Sequence, residues 1–206
     1  VIDAAQAQIA RLSTQVVGLQ DILSNKQARG AFGEVQLEAI VRDALPAGVY
    51  TLQATLSNGM RADCLVRLPN PPGSIVIDAK FPLESYRALR AAGDDIARQQ
   101  AARAFASAVQ KHVDDIAEKY IIPGETAESA LMFLPSEAVY AELHAGFGTV
   151  VENAGRRRVW LVSPTTLMAT LVTVRAVLKD ARVREQAHLI QKEVGQLALD
   201  AGWLAE

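Results

Sequence analysis

The sequence holds a single cysteine, Cys64, which excludes an internal disulfide and an all-cysteine metal cluster and fits a reducing compartment. Long apolar runs are also missing. No uninterrupted stretch approaches the ~20 residues that a membrane helix needs, and no basic-then-apolar leader opens the chain. Secretion is unsupported, and the expected location is cytoplasmic. Nor is there an excess of positive charge: the formal net charge is -2, so the chain does not coat nucleic acid by bulk charge and any contact needs a local basic patch. What remains is an ordinary globular composition. With 206 residues and 50% hydrophobic content, the chain suits one packed domain with appendages.

The appendages lie at the ends. Ile2, Ala5, Ile9, Leu12, Val16, Leu19 and Leu23 step by three and four, with Gln6, Gln8, Gln15 and Gln20 between them. That is a heptad seam on a solvated helix. Val183, Ala187, Ile190, Val194, Leu197, Ala201 and Leu204 repeat the pattern at the other end. Seams of this length serve either a helix lying on its own domain or a homo-oligomer joined through the heptads. The expected division is an N-terminal coiled-coil helix over 1–28, an α/β core over 29–181 and a C-terminal heptad helix over 182–206.

Within the core, Arg29-Gly30-Ala31-Phe32-Gly33 is expected to break the first seam before helical spacing resumes from Glu34 to Ala44. Val49 to Leu56 reads as a strand, Ser57-Asn58-Gly59 as a hairpin turn and Arg61 to Leu68 as the return strand. After a Pro/Gly-rich turn comes Ile75-Val76-Ile77-Asp78-Ala79-Lys80. Phe81 to Lys119 is helical with a break at Gly93-Asp94, where Asp94 or Asp95 caps the second piece. Ala130 to Leu134 and Val159 to Val162 read as short buried strands, each followed by a helix capped at Ser136 or Ser163. Strands alternating with helices predict an α/β fold, a mixed central β-sheet flanked by helices.

Four residues in this core carry chemistry. Asp78 and Lys80 share one face of a strand, Asp63 interrupts the mostly apolar return strand, and Glu34 sits on the helix before both. Acids on adjacent elements repel one another unless a proton or a hard cation intervenes. Mg²⁺ or Mn²⁺ is the cation such oxygens favour. It would activate water and offset phosphate charge, with Lys80 orienting or deprotonating that water. The alternative is a set of plain ion pairs, Glu34 near Arg29 and Asp63 with Lys80. Elsewhere, Arg156-Arg157-Arg158 is either a backbone contact for nucleic acid or a solvated loop run. Ser163 and Thr165 open a helix whose N-terminus either binds phosphate or is simply capped. Cys64 reads as a core residue, His112, His144 and His188 as packing or surface residues, and Trp160 and Trp203 as core and seam anchors.

The order of these motifs resembles a known family. Arg29-Gly30-x-x-Gly33-Glu34, Ala62-Asp63-Cys64-Leu65-Val66-Arg67-Leu68-Pro69, Val76-Ile77-Asp78-Ala79-Lys80-Phe81-Pro82, Leu131-Met132-Phe133-Leu134-Pro135-Ser136 and Leu161-Val162-Ser163-Pro164-Thr165-Thr166 together resemble the RmuC family. That resemblance implies a DNA recombination protein whose core is similar to the PD-(D/E)xK nuclease, or restriction-endonuclease-like, fold. It implies DNA as partner, Glu34, Asp63 and Asp78 as metal-binding acids, and Lys80 beside them as catalytic. The sequence departs from the pattern at Ala62, where a proline would precede Asp63. The resemblance also implies a longer N-terminal coil, often behind an inner-membrane anchor, and no small-molecule cofactor. Two functions follow as expectations: a metal-dependent endonuclease, or a DNA-binding or scaffolding protein without hydrolysis that acts through its coils.

Overall fold

The computed structural model describes residues 26–69, 73–180 and 186. Nearly all of both heptad segments, with Trp203 and His188, lies outside them. The described chain folds as an α/β sandwich around one five-stranded sheet, in the spatial order β1-β2-β3-β4-β5. The strands are β1 (Tyr50–Thr55), β2 (Arg61–Val66), β3 (Ser74–Ala79), β4 (Thr126–Phe133) and β5 (Val159–Val162). The first three pair antiparallel and the last three parallel, so the sheet is mixed.

The helices are α1 (Lys26–Ala44), α2 (Leu83–Ala91), α3 (Asp95–Tyr120), α4 (Glu137–Gly146), α5 (Gly148–Arg156) and α6, described over 164–180. Both parallel crossovers run over one face. There α3 places Phe105, Val109, Val113 and Ile116 against Val76, Ala130 and Met132, with Val139 and Leu143 of α4 and Val150 of α5 beside them. The opposite face is covered by Leu37 and Val41 of α1 and Leu167 and Leu171 of α6, packed on Cys64, Val66, Ile77 and Phe133. Full burial of each such side chain contributes roughly 1.5–3 kcal/mol before chain entropy is counted.

Local chemistry sets the element boundaries. Leu45 and Pro46 follow the last turn of α1, since proline has no N–H to continue the ladder. At the hairpin, Gly59 takes φ +77 and Asn58 Oδ1 accepts from Met60 N at 3.0 Å. The Asp94 carboxylate caps α3 by accepting from Ala97 N at 2.7 Å, and Ser136 Oγ caps α4 by accepting from Val139 N at 3.4 Å.

Three expectations are corrected. The helix does not break at Arg29–Gly33 but runs unbroken across it. A Cβ built on Gly33 would stand 3.4 Å from Pro135 Cγ and 3.6 Å from Ala79 Cβ, so α1 lies close over the ends of β3 and β4 with room there for no more than a small residue. Arg156, which one reading placed in a solvated loop run, instead ends helix α5, because Val150 and Ala154 bury one face of it. Trp160, expected in the core, is 54% exposed on edge strand β5 and lines a groove with Arg158 and Glu128.

Candidate active site

The carboxylates of Asp63 and Asp78 are brought together at the end of β3. Ladder pairing between β2 and β3 stops at Cys64↔Ile77, one step short of the two acids. In place of the next ladder bond, Ala79 N donates to Asp63 Oδ2 at 2.8 Å. Asp78 is 2% exposed and pairs with the Lys80 ammonium, as i and i+2 on one strand face allow. The alternative reading paired Asp63 with Lys80 and Glu34 with Arg29. Lys80 goes to Asp78 and Arg29 to Glu84.

The electrostatics follow from this crowding. Burial first, and then the charge of Asp78, push the Asp63 carboxyl up to about 6, although the Ala79 N–H and Lys80 oppose them. Glu34 adds a smaller upward push, so its charge is felt at the same point. Tyr120, at the end of α3, donates to Arg61 O at 3.0 Å. Its phenol is raised by burial and then by Asp78 beside it. Cys64, one residue beyond Asp63, is fully buried, and burial followed by the Asp63 charge pushes its thiol up to about 12, which leaves it no thiolate for chemistry at neutral pH.

Glu34 stands at the meeting of two clefts. One, of about 490 Å³, is lined by Glu34, Glu38, Gln53, Arg61 and Asp63. The other, of about 440 Å³, is lined by Arg29, Glu34, Lys80, Ser85 and His112. The Glu34 carboxylate accepts from Gln53 Nε2 at 3.1 Å. Among the described residues no three of His, Cys, Asp and Glu are grouped to hold a metal ion, so the acids that stand together are the pair Asp63 and Asp78. That pair still fits a hard cation. Mg²⁺ keeps several waters and is commonly held by one or two carboxylates, and no described residue donates to Asp63 Oδ1.

Three residues of this site are absent from the sequence-based set. Gln53 reaches Glu34 from β1, Tyr120 stands over Asp78, and His112 lines the Lys80 cleft. His112 is held below its ordinary pKa by burial and then by the Lys80 charge. Its place on the stripe Phe105, Ala108, Val109, His112, Val113 was the available signal: a polar ring on a helix face that packs against the sheet.

The other candidate residues lie apart from this cluster. The β3–β4–β5 register sets Ala79 level with Phe133 and Val162, so Arg158, four residues before Val162, lies about 13 Å down the sheet. Each of the three arginines is ion-paired: Arg156 with Glu152, Arg157 with Asp114 and Glu118, Arg158 with Glu128. Ser163 and Thr165 do sit at the same end of the sheet as Lys80. The N-terminus they open is already filled, because Glu137 accepts from Thr165 N at 2.8 Å and Ser163 Oγ accepts from Thr166 N at 3.3 Å. Desolvation pushes the Glu137 carboxyl upward, but the hydrogen bonds from Thr165 and Ser163 outweigh it and hold the group below the ordinary glutamate range.

The RmuC family model matches residues 1–206, the whole chain. The chain belongs to the RmuC family. Among its relatives, the DNA recombination protein RmuC homolog of Pseudomonas aeruginosa is 30% identical over 196 residues, covering 91% of this chain and 43% of that protein. The homologs of Pasteurella multocida and Chlamydia trachomatis serovar D are each 31% identical, covering 90% and 92% of this chain but 38% and 43% of theirs. The chain thus spans less than half the length of the RmuC relatives it matches. No solved structure matches it. Among the described residues no helix is long and apolar enough to cross a membrane.

Proposed function

We propose that this RmuC-family chain carries the hydrolytic core of a DNA recombination protein, cleaving DNA phosphodiester bonds with Mg²⁺ or Mn²⁺. The observation that supports this most is the placement of Asp63, Asp78 and Lys80 together, with Asp63 fixed by the Ala79 N–H and its charge opposed by Asp78. Asp63 and Asp78 are the residues that would hold the cation, and Glu34 lines the same cleft as Asp63. When bound, such a cation supplies a polarising charge at phosphate and lowers the pKa of water. Lys80 supplies positive charge and three N–H donors beside the reacting phosphate, and His112 lines the same cleft. Arg61, on the rim of the Glu34–Asp63 cleft, makes no ion pair among the described residues and is placed to meet a DNA phosphate. The DNA role itself rests on similarity to the DNA recombination protein RmuC homologs and on the motif order.

One observation favours a second reading. The absence of a three-acid group among the described residues, together with the Lys80–Asp78 pair, suits a DNA-binding or scaffolding protein without hydrolysis. Branched, single-stranded and duplex DNA incubated with the chain in Mg²⁺ or Mn²⁺ separates the two. Cleavage abolished by Asp78→Asn and Lys80→Ala supports the nuclease. Binding without cleavage on every substrate supports the scaffold.

A further inference from the structure

The hairpin β1–β2 changes faces partway along. Tyr50 and Leu52 pack on the α1 and α6 side, opposite Val66 and Cys64, which are buried in the same layer. Further toward the turn, Leu56 and Ala62 belong to the α3 side. Regular alternation would keep Ala62 on the face of Cys64, two residues away, so the hairpin twists between them. The twist falls at Gln53 and Asp63, the pair missing between Leu52↔Cys64 and Ala54↔Ala62. Gln53 there has φ +49, a left-handed conformation that crowds any Cβ and that no tight turn requires in mid-strand. Its amide donates to Glu34 Oε2 at 3.1 Å, inside the cleft that Asp63 also lines.

We propose that Gln53 is a positioning residue of the cation site, its left-handed backbone turning Asp63 out of the β-ladder onto the Ala79 N–H and its amide fixing Glu34 at the same cleft. Irregular residues of this kind recur beside active sites because they re-aim a side chain that a regular strand would point elsewhere. Deleting the amide frees Glu34, and a smaller residue relieves the backbone without restoring that hold. The inference rests on the divalent-cation reading above and adds a residue to it.

The test is calorimetric titration of the 206-residue chain with Mn²⁺, alongside thermal melting, for wild type, Gln53→Ala and Gln53→Gly. Both variants should bind Mn²⁺ about tenfold more weakly, the loss typical of a missing outer contact to a metal ligand. Gln53→Gly should nevertheless melt above Gln53→Ala, because glycine accepts the left-handed backbone. A residue with a merely structural role would show affinity following stability, with the glycine variant binding as wild type does. If wild type binds and both variants bind equally well, the positioning role is wrong while the cation site stands. If wild type takes up no Mn²⁺, the cation site itself fails and the positioning role falls with it.

Discussion

The backbone N–H of Ala79 donates to the Asp63 carboxylate at 2.8 Å, and the residue before Ala79 is the buried acid Asp78. One hydrogen bond thus holds two carboxylates side by side where the β2–β3 ladder ends. The pair is costly to ionise together, and the pressure appears on Asp63, pushed up to about 6 by burial and then by Asp78. Neutralising one acid should release the other. Asp78→Asn is expected to move the Asp63 titration down toward the ordinary aspartate value of 3.8, read from carboxyl carbon shifts in NMR. A titration unmoved by the substitution would show that burial alone raises it.

The same shift fixes a pH dependence. A carboxyl raised from 3.8 unfolded to about 6 folded binds more protons in the native state between those values, so stability falls as pH rises through that window. The expected loss from pH 4 to 7 is on the order of 2 kcal/mol after allowance for partial solvent exposure. Urea unfolding at several pH values measures it. Saturating Mn²⁺ should offset the loss above pH 6, since a cation bound by ionised Asp63 favours the native state.

Gly33 carries a steric prediction. A methyl at this position meets Pro135 Cγ at 3.4 Å, a contact the ring can accommodate, and alanine improves helix propensity over glycine. Gly33→Ala should therefore leave stability within about 1 kcal/mol of wild type. Gly33→Leu, which must push α1 away from Ala79 and Pro135, should cost roughly 1–3 kcal/mol by urea unfolding. Equal stability for all three would place α1 farther from the sheet.

Much of this site could be read from the order of residues, and some could not be. Asp63, Asp78 and Lys80 interrupt apolar strands, where an unpaired charge is expensive, and that local anomaly marked them. The strands, the hairpin turn and the Asp94, Ser136 and Ser163 caps were visible for the same reason: their signals lie within a few residues of each other. Gln53, His112 and Tyr120 join the site through space, from β1 and from α3; only His112, a polar ring on a buried helix stripe, carries a local signal. The pairing of Arg157 with Asp114 and Glu118, and of Arg158 with Glu128, is likewise set by the fold and not by spacing. The continuous α1 was hidden because Gly30 and Gly33 look like a helix break until the surface packed against Gly33 is known.

Cys64 offers an inexpensive check of the strand faces. A thiol that is fully buried and pushed up to about 12 should not react with a disulfide reagent at pH 8 in the native protein, and should react promptly in denaturant. Fast reaction of the native chain would mean that β2 presents Cys64 outward and turns Asp63 away from Asp78.

The most direct test is cleavage of branched and duplex DNA in Mg²⁺ or Mn²⁺ by wild type and Asp78→Asn side by side, with DNA binding measured on the same samples. The account predicts that wild type cuts, that Asp78→Asn cuts at least about 100-fold more slowly, and that both still bind. Wild type that binds DNA yet leaves every substrate intact in both metals would contradict it.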